Sequence, residues 1–63
     1  MAASARPRER LFSPRTLAEY LCVPLATVYR WNSNGDGPTP ISVGRHRRYR
    51  PSDVEIWLDQ HAS

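Results

Sequence analysis

The sequence predicts a small, mainly α fold with one β-hairpin, in the order helix, helix, hairpin, helix. Three observations predict it. Pro24 separates two short amphipathic stretches, leaving only two or three residues to join two helices. Ile41-Ser42-Val43 alternates and runs into Gly44-Arg45, the pattern of a strand entering a tight turn. After Pro51, the residues Val54, Trp57, Leu58 and His61 share one helical face.

The first helix is predicted at Pro14–Leu21 or Cys22. Ser13 can cap it, and Pro14 at the first helical position gives up an N–H that would be unpaired anyway. Phe12 and Leu17 stand at the two positions of a hydrophobic staple. Leu17, Ala18 and Leu21 form one face, with Arg15 and Glu19 turned away. Pro24 stops this helix and pushes Val23 out of helical geometry.

The second helix is predicted to start at or just after Pro24 and to run to about Asn32. Asn34-Gly35 supplies the stop, because both residues tolerate left-handed backbone. Val28 and Trp31 face inward with Leu25 as a third candidate, while Ala26, Thr27 and Arg30 cluster on the other side. Asp36-Gly37-Pro38-Thr39-Pro40 is a loop by composition. Strands over Ile41–Val43 and Arg47–Tyr49 then flank a Gly44-Arg45 turn, with Tyr49 inward near Ile41 or Val43 and with Arg48 and Arg50 outward. For the third helix, Pro51 at the first helical position competes with Ser52 as a cap. In either case Asp53 sits in the opening turn, and Ile56 lies opposite the apolar face.

At 63 residues, the chain makes one domain near the lower size limit for folding unaided, burying roughly 60% of its unfolded surface. Two tryptophans, three tyrosines and one phenylalanine compensate with large buried area per residue. That leaves hardly any room for a catalytic cleft beside a core. The single cysteine, Cys22, excludes an intrachain disulfide and a Cys-based zinc site. Within an apolar helical pattern it reads as a small core residue, in keeping with a reducing cytoplasm. No apolar run approaches the roughly 20 residues needed to span a bilayer, and Met1–Arg10 lacks the centre of a signal peptide. That segment reads as a flexible basic arm with Arg6, Arg8 and Arg10, either a secondary phosphate contact or plain disordered chain. Residues 61–63 read as a short tail.

Charge is distributed unevenly. All nine basic residues are arginine, whose planar fork suits phosphate and guanine, although coding bias yields the same preference. Pro51–Ser63 carries Asp53, Glu55 and Asp59 and no arginine, so the molecule is polarised. Gly44–Arg50 alone holds Arg45, Arg47, Arg48 and Arg50 with no acidic side chain. Such a run is either a solvated loop or a surface facing a polyanion.

Taken together, Phe12-Ser13-Pro14, Ala18-Glu19-Tyr20-Leu21-Cys22-Val23-Pro24, Thr27-Val28-Tyr29-Arg30-Trp31, Val43-Gly44-Arg45, Arg48-Tyr49, Ser52-Asp53 and Trp57-Leu58 resemble the excisionase-type, MerR-like winged helix-turn-helix family. The match spans roughly Leu11–Asp59, and the domain is expected at 11–60. The resemblance implies a sequence-specific, DNA-bending architectural protein that binds attachment-site DNA, often as several adjacent copies, and steers a phage integrase toward excision. Its partners would be double-stranded DNA, an integrase and further copies of itself, in the cytoplasm and associated with the nucleoid of a bacterial host. The second helix would enter the major groove through Leu25, Ala26, Thr27, Tyr29 and Arg30. The hairpin would act as a wing on the adjacent minor groove or backbone through Arg45, His46, Arg47, Arg48 and Arg50.

Two positions depart from that family. Where it usually has a serine cap and then a polar residue, this chain has Pro24 and Leu25. Leu25 and Ala26 offer only apolar contact, for example to a thymine methyl. Hydrogen-bonded reading then rests chiefly on Thr27 and Arg30, and DNA shape gains weight.

Enzyme chemistry is not expected, and neither is a cofactor or metal. His46 and His61 lack a nucleophile or carboxylate at motif spacing, and no phosphate-cradling glycine loop is present. A small MerR-like transcriptional regulator is the alternative within DNA binding, since the same fold serves both. Such a regulator normally adds a dimerisation helix and an effector domain, which these residues do not extend to. A basic protein-interaction adaptor is the third class. Salt-dependent DNA binding separates it from the other two.

Overall fold

The computed structural model describes residues 10–62. The basic arm therefore lies outside the described residues except for Arg10, as does Ser63. The order is α1 (Pro14–Leu21), α2 (Leu25–Asn34), β1 (Pro40–Val43), β2 (His46–Tyr49) and α3 (Pro51–His61). Three helices and a two-stranded antiparallel hairpin make a mainly helical winged helix-turn-helix.

Helix α1 starts at a reciprocal cap. The Thr16 amide donates to Ser13 Oγ at 3.1 Å, and the Ser13 amide donates to Thr16 Oγ1 at 2.8 Å. Two otherwise orphaned N–H groups are thereby satisfied. The helix ends at Cys22, which adopts the left-handed region at φ 59° and is exposed. The core position expected for Cys22 is therefore wrong. Its unusual backbone turns the chain in one residue, so that Val23 rather than Cys22 packs inward.

Helix α2 runs two residues further than the expected end at Asn32, and Gly35 at φ 80° caps it. Asn34 stays helical because glycine alone supplies the left-handed residue. Pro24 stands just outside the first turn without a side-chain cap. Helix α3 resolves the competing starts in favour of Pro51 at the first position, with Arg50 as the N-cap.

The core comprises Leu17, Ala18, Val28, Tyr49 and Val54. Phe12, Leu21, Val23, Leu25, Trp31 and Leu58 pack against it from partly buried positions. Burying each of the larger aliphatic side chains stabilises the fold by about 1.5–3 kcal/mol. Trp57 is only half-buried and lies at the rim. It pairs with Trp31 at 5.1 Å between ring centroids, and the His61 ring lies tilted against it at 4.5 Å. The third helix also holds α1 through Tyr20, whose hydroxyl donates to Glu55 Oε2 at 2.9 Å.

The hairpin pairs Pro40 with Tyr49 and Ile41 with Arg48. Tyr49 is inward as expected, but it stands opposite Pro40 rather than Ile41 or Val43, because each strand is one residue longer than predicted. On the other edge of β2, Phe12 and Tyr49 exchange both backbone hydrogen bonds, at 2.8 and 2.9 Å. Phe12 thus serves as an isolated third-strand bridge as well as packing above α1, and the hairpin is fastened to the start of the domain. A two-stranded ribbon needs such support to persist in water.

Candidate nucleic-acid interface

Two surfaces carry the residues singled out by the sequence. On α2, Ala26, Tyr29 and Arg30 are exposed, at the helical spacing that lines up one stripe. The two extra residues of the helix add Ser33 to that stripe, at i+7 from Ala26. Ser33 was missed because the helix was ended too early; the spacing itself was legible. Thr27 is half-buried at the stripe's edge, its amide donating to Pro24 O at 2.9 Å. Leu25 is half-buried and packs against the core, so its side chain is divided between the interior and the helix start.

The second surface is the hairpin. Gly44 at φ 63° is followed by Arg45 with negative φ, the sign pattern of a type II′ turn, whose twist suits a two-residue hairpin. Arg45, His46, Arg47 and Arg50 are exposed, and Arg48 is half-buried. Arg48 is accordingly less outward than expected. It stands opposite the half-buried Ile41, and its Nη1 donates to Arg47 O at 2.7 Å, which holds the guanidinium along the strand.

Strand alternation puts Arg47 on the same face as Tyr49. Arg47 there lines an open cavity of about 260 Å³ together with Trp31 and Asn32 of α2 and the Gly35–Pro40 loop. The carboxylate-bearing Asp36 lines it as well. Behind it, the Tyr49 hydroxyl donates to Asn32 Oδ1 at 2.6 Å. Burial pushes the Tyr49 phenol above its usual value, and the nearby Arg47 guanidinium opposes that rise. The phenol therefore stays protonated and able to donate at neutral pH. Asn32 was not among the residues singled out from sequence. Its spacing of four from Val28 places it near the inward face, but only the fold shows which partner it meets.

The arrangement offers a solvent-facing set of guanidinium donors beside a helix with an exposed face, which is chemistry suited to a polyanion. Among the described residues, no group of three or more His, Cys, Asp or Glu side chains is placed to hold a metal ion. Nor is any described helix long and apolar enough to cross a membrane.

No curated protein and no solved structure matches the chain. A family profile described as a helix-turn-helix domain does match, over residues 11–62, from just before the Phe12 bridge to the end of α3. That family includes excisionase-like small DNA-binding proteins. The chain belongs to the helix-turn-helix domain family, and DNA is the partner that this membership implies.

Proposed function

We propose that this protein is a sequence-specific architectural DNA-binding protein of the excisionase kind, acting without catalysis of its own. In this reading α2 lies in the major groove and presents Ala26, Thr27, Tyr29 and Arg30 to base edges, with Leu25 at the groove's rim. The hairpin lies against the neighbouring backbone or minor groove through Arg45, His46, Arg47, Arg48 and Arg50. The observation that carries it is the exposed, arginine-bearing hairpin joined directly to the C-terminal half of α2. A helix that reads and a hairpin that clamps can then engage the same stretch of duplex. The apolar start of α2 shifts a larger share of binding to the hairpin, so bending and groove width weigh heavily in site choice. The biological role would be to bind attachment-site DNA in the bacterial cytoplasm, alone or as adjacent copies, and to direct a phage integrase toward excision.

The test is a gel-shift and bending assay on attachment-site duplex, followed by excision with the integrase present. A salt-sensitive, bent complex that raises excisive recombination supports the proposal. Binding and bending without any effect on the integrase would transfer the protein to transcriptional regulation. Absence of duplex binding would leave a protein-interaction adaptor.

A further inference from the structure

We infer that Asn32 and the Tyr49 hydroxyl form the positioning element that sets the arginine hairpin at its working angle to α2. The inference rests on the DNA-binding reading above and concerns residues that would touch no nucleic acid themselves. Strand β2 is held along both edges, by pairing with β1 within the hairpin and by the Phe12 bridge at the start of the domain. Those pairings lie in the plane of the strands and do not by themselves fix the angle between the hairpin and α2. The Tyr49 ring packs in the core with Val28 of α2, but beside it the seam opens into the cavity of about 260 Å³, between Trp31, Asn32 and the loop on one side and Arg47 on the other. Among the described residues, the one hydrogen bond that spans the seam from side chain to side chain is Tyr49 Oη to Asn32 Oδ1, at 2.6 Å.

The Tyr49 ring is 1% exposed, so its hydroxyl has no free access to water as a substitute partner, and a neighbour's oxygen has to accept from it. Arg47 and Arg48 precede Tyr49 directly and Arg50 follows it. Any change in how Tyr49 sits is therefore passed to three of the four hairpin arginines across only one or two residues of backbone. A rigid support behind binding groups raises affinity by lowering the ordering cost on association. Asn32 thus connects the reading helix to the clamp.

Tyr49→Phe and Asn32→Leu each remove the bond while keeping the buried volume, and the double variant completes a cycle. Each is compared with wild type for its thermal melt, and for affinity and salt slope on a linear duplex that wild type shifts. Each single variant should melt cooperatively and bind roughly threefold to tenfold more weakly, the range for one lost hydrogen bond. The slope of log K against log[salt] should become shallower by about one contact. The double variant should bind no worse than either single one. A purely structural role would lower the melting temperature and leave the salt slope as it is. Folded variants with wild-type slope, or effects that add in the double variant, overturn the inference. If Tyr49→Phe loses its cooperative melt, Asn32→Leu decides the outcome, because it leaves the Tyr49 ring in place. Wild-type protein that fails to shift the duplex overturns the DNA-binding reading, and this inference with it.

Discussion

Gly37 is the least replaceable glycine of this domain. Its φ is +80°, and a Cβ there would meet Trp31 Cε3 at 2.8 Å and Trp31 Cβ at 3.0 Å. The obstacle is the root of a tryptophan that packs on the core and pairs with Trp57, so it cannot swing aside. Gly37→Ala is predicted to cost about 2 kcal/mol or more, from strained backbone and overpacking together. A thermal melt should show a drop of roughly 8–16 °C for that cost in a domain this small. Gly35 and Gly44 also have positive φ but nothing within 4 Å of an added Cβ. Alanine there should be milder, and equal losses at all three sites would remove the Trp31 contact from the explanation. If α2 reads the duplex as proposed, Thr27→Ala and Arg30→Ala should narrow the affinity ratio between cognate and unrelated duplexes by about 1–3 kcal/mol each. Competition binding measures this, and unchanged ratios in both variants would mean that α2 is not the reader. Single residues were also where sequence reasoning failed most. Cys22 and Trp57 were assigned to the interior from apolar spacing, yet one ends a helix in left-handed backbone and the other lies at the rim. Periodicity reports which face a side chain is on, and says nothing of where a helix stops or how deep its neighbour lies.

The elements were far more legible, because their boundaries are set by local chemistry. Ser13-Pro14, Pro24 and Pro51 each mark a helix start in the structure, for reasons contained in one or two residues. What stayed hidden was reciprocal or long-range. Thr16 completes the cap of α1 although the usual signature has Glu or Gln at that position. The Phe12–Tyr49 bridge joins residues far apart in sequence and has no local signal. Of the two helices of the helix-turn-helix, only α1 has a side-chain cap at its start. Ser13→Ala should lower stability by about 1 kcal/mol, seen as a fall of roughly 4–8 °C in the melting temperature. Ser13→Asp keeps an acceptor oxygen and should recover most of that loss. A melt of Ser13→Ala indistinguishable from wild type would show that packing alone holds the start of α1.

For the molecule as a whole, the chain separates its charge by element. Arg45 and Arg47 of the hairpin and Arg50 just after it face solvent, with Arg48 half-buried beside them, and Asp53, Glu55 and Asp59 belong to α3. The duplex is expected on the hairpin side, with α3 left to face other molecules. Tyr49 ties this arrangement together, with its ring in the core, its backbone bonded to Phe12 and its hydroxyl bonded to Asn32. The basic run could be read in the sequence as a wing, but its fastening to α2 could not, since Asn32 acquires its meaning only from the fold. In the proposed complex the hairpin arginines neutralise phosphate. The most direct measurement of this is the salt dependence of duplex binding for wild type, Arg47→Ala and Arg48→Ala. If all four hairpin arginines reach phosphates, they contribute about −3.6 to the slope of log K against log[salt], at roughly −0.9 each. Each variant should then bind more weakly and show a slope shallower by about 0.9. Variants that keep the wild-type slope would place those arginines off the DNA and contradict the proposed neutralisation.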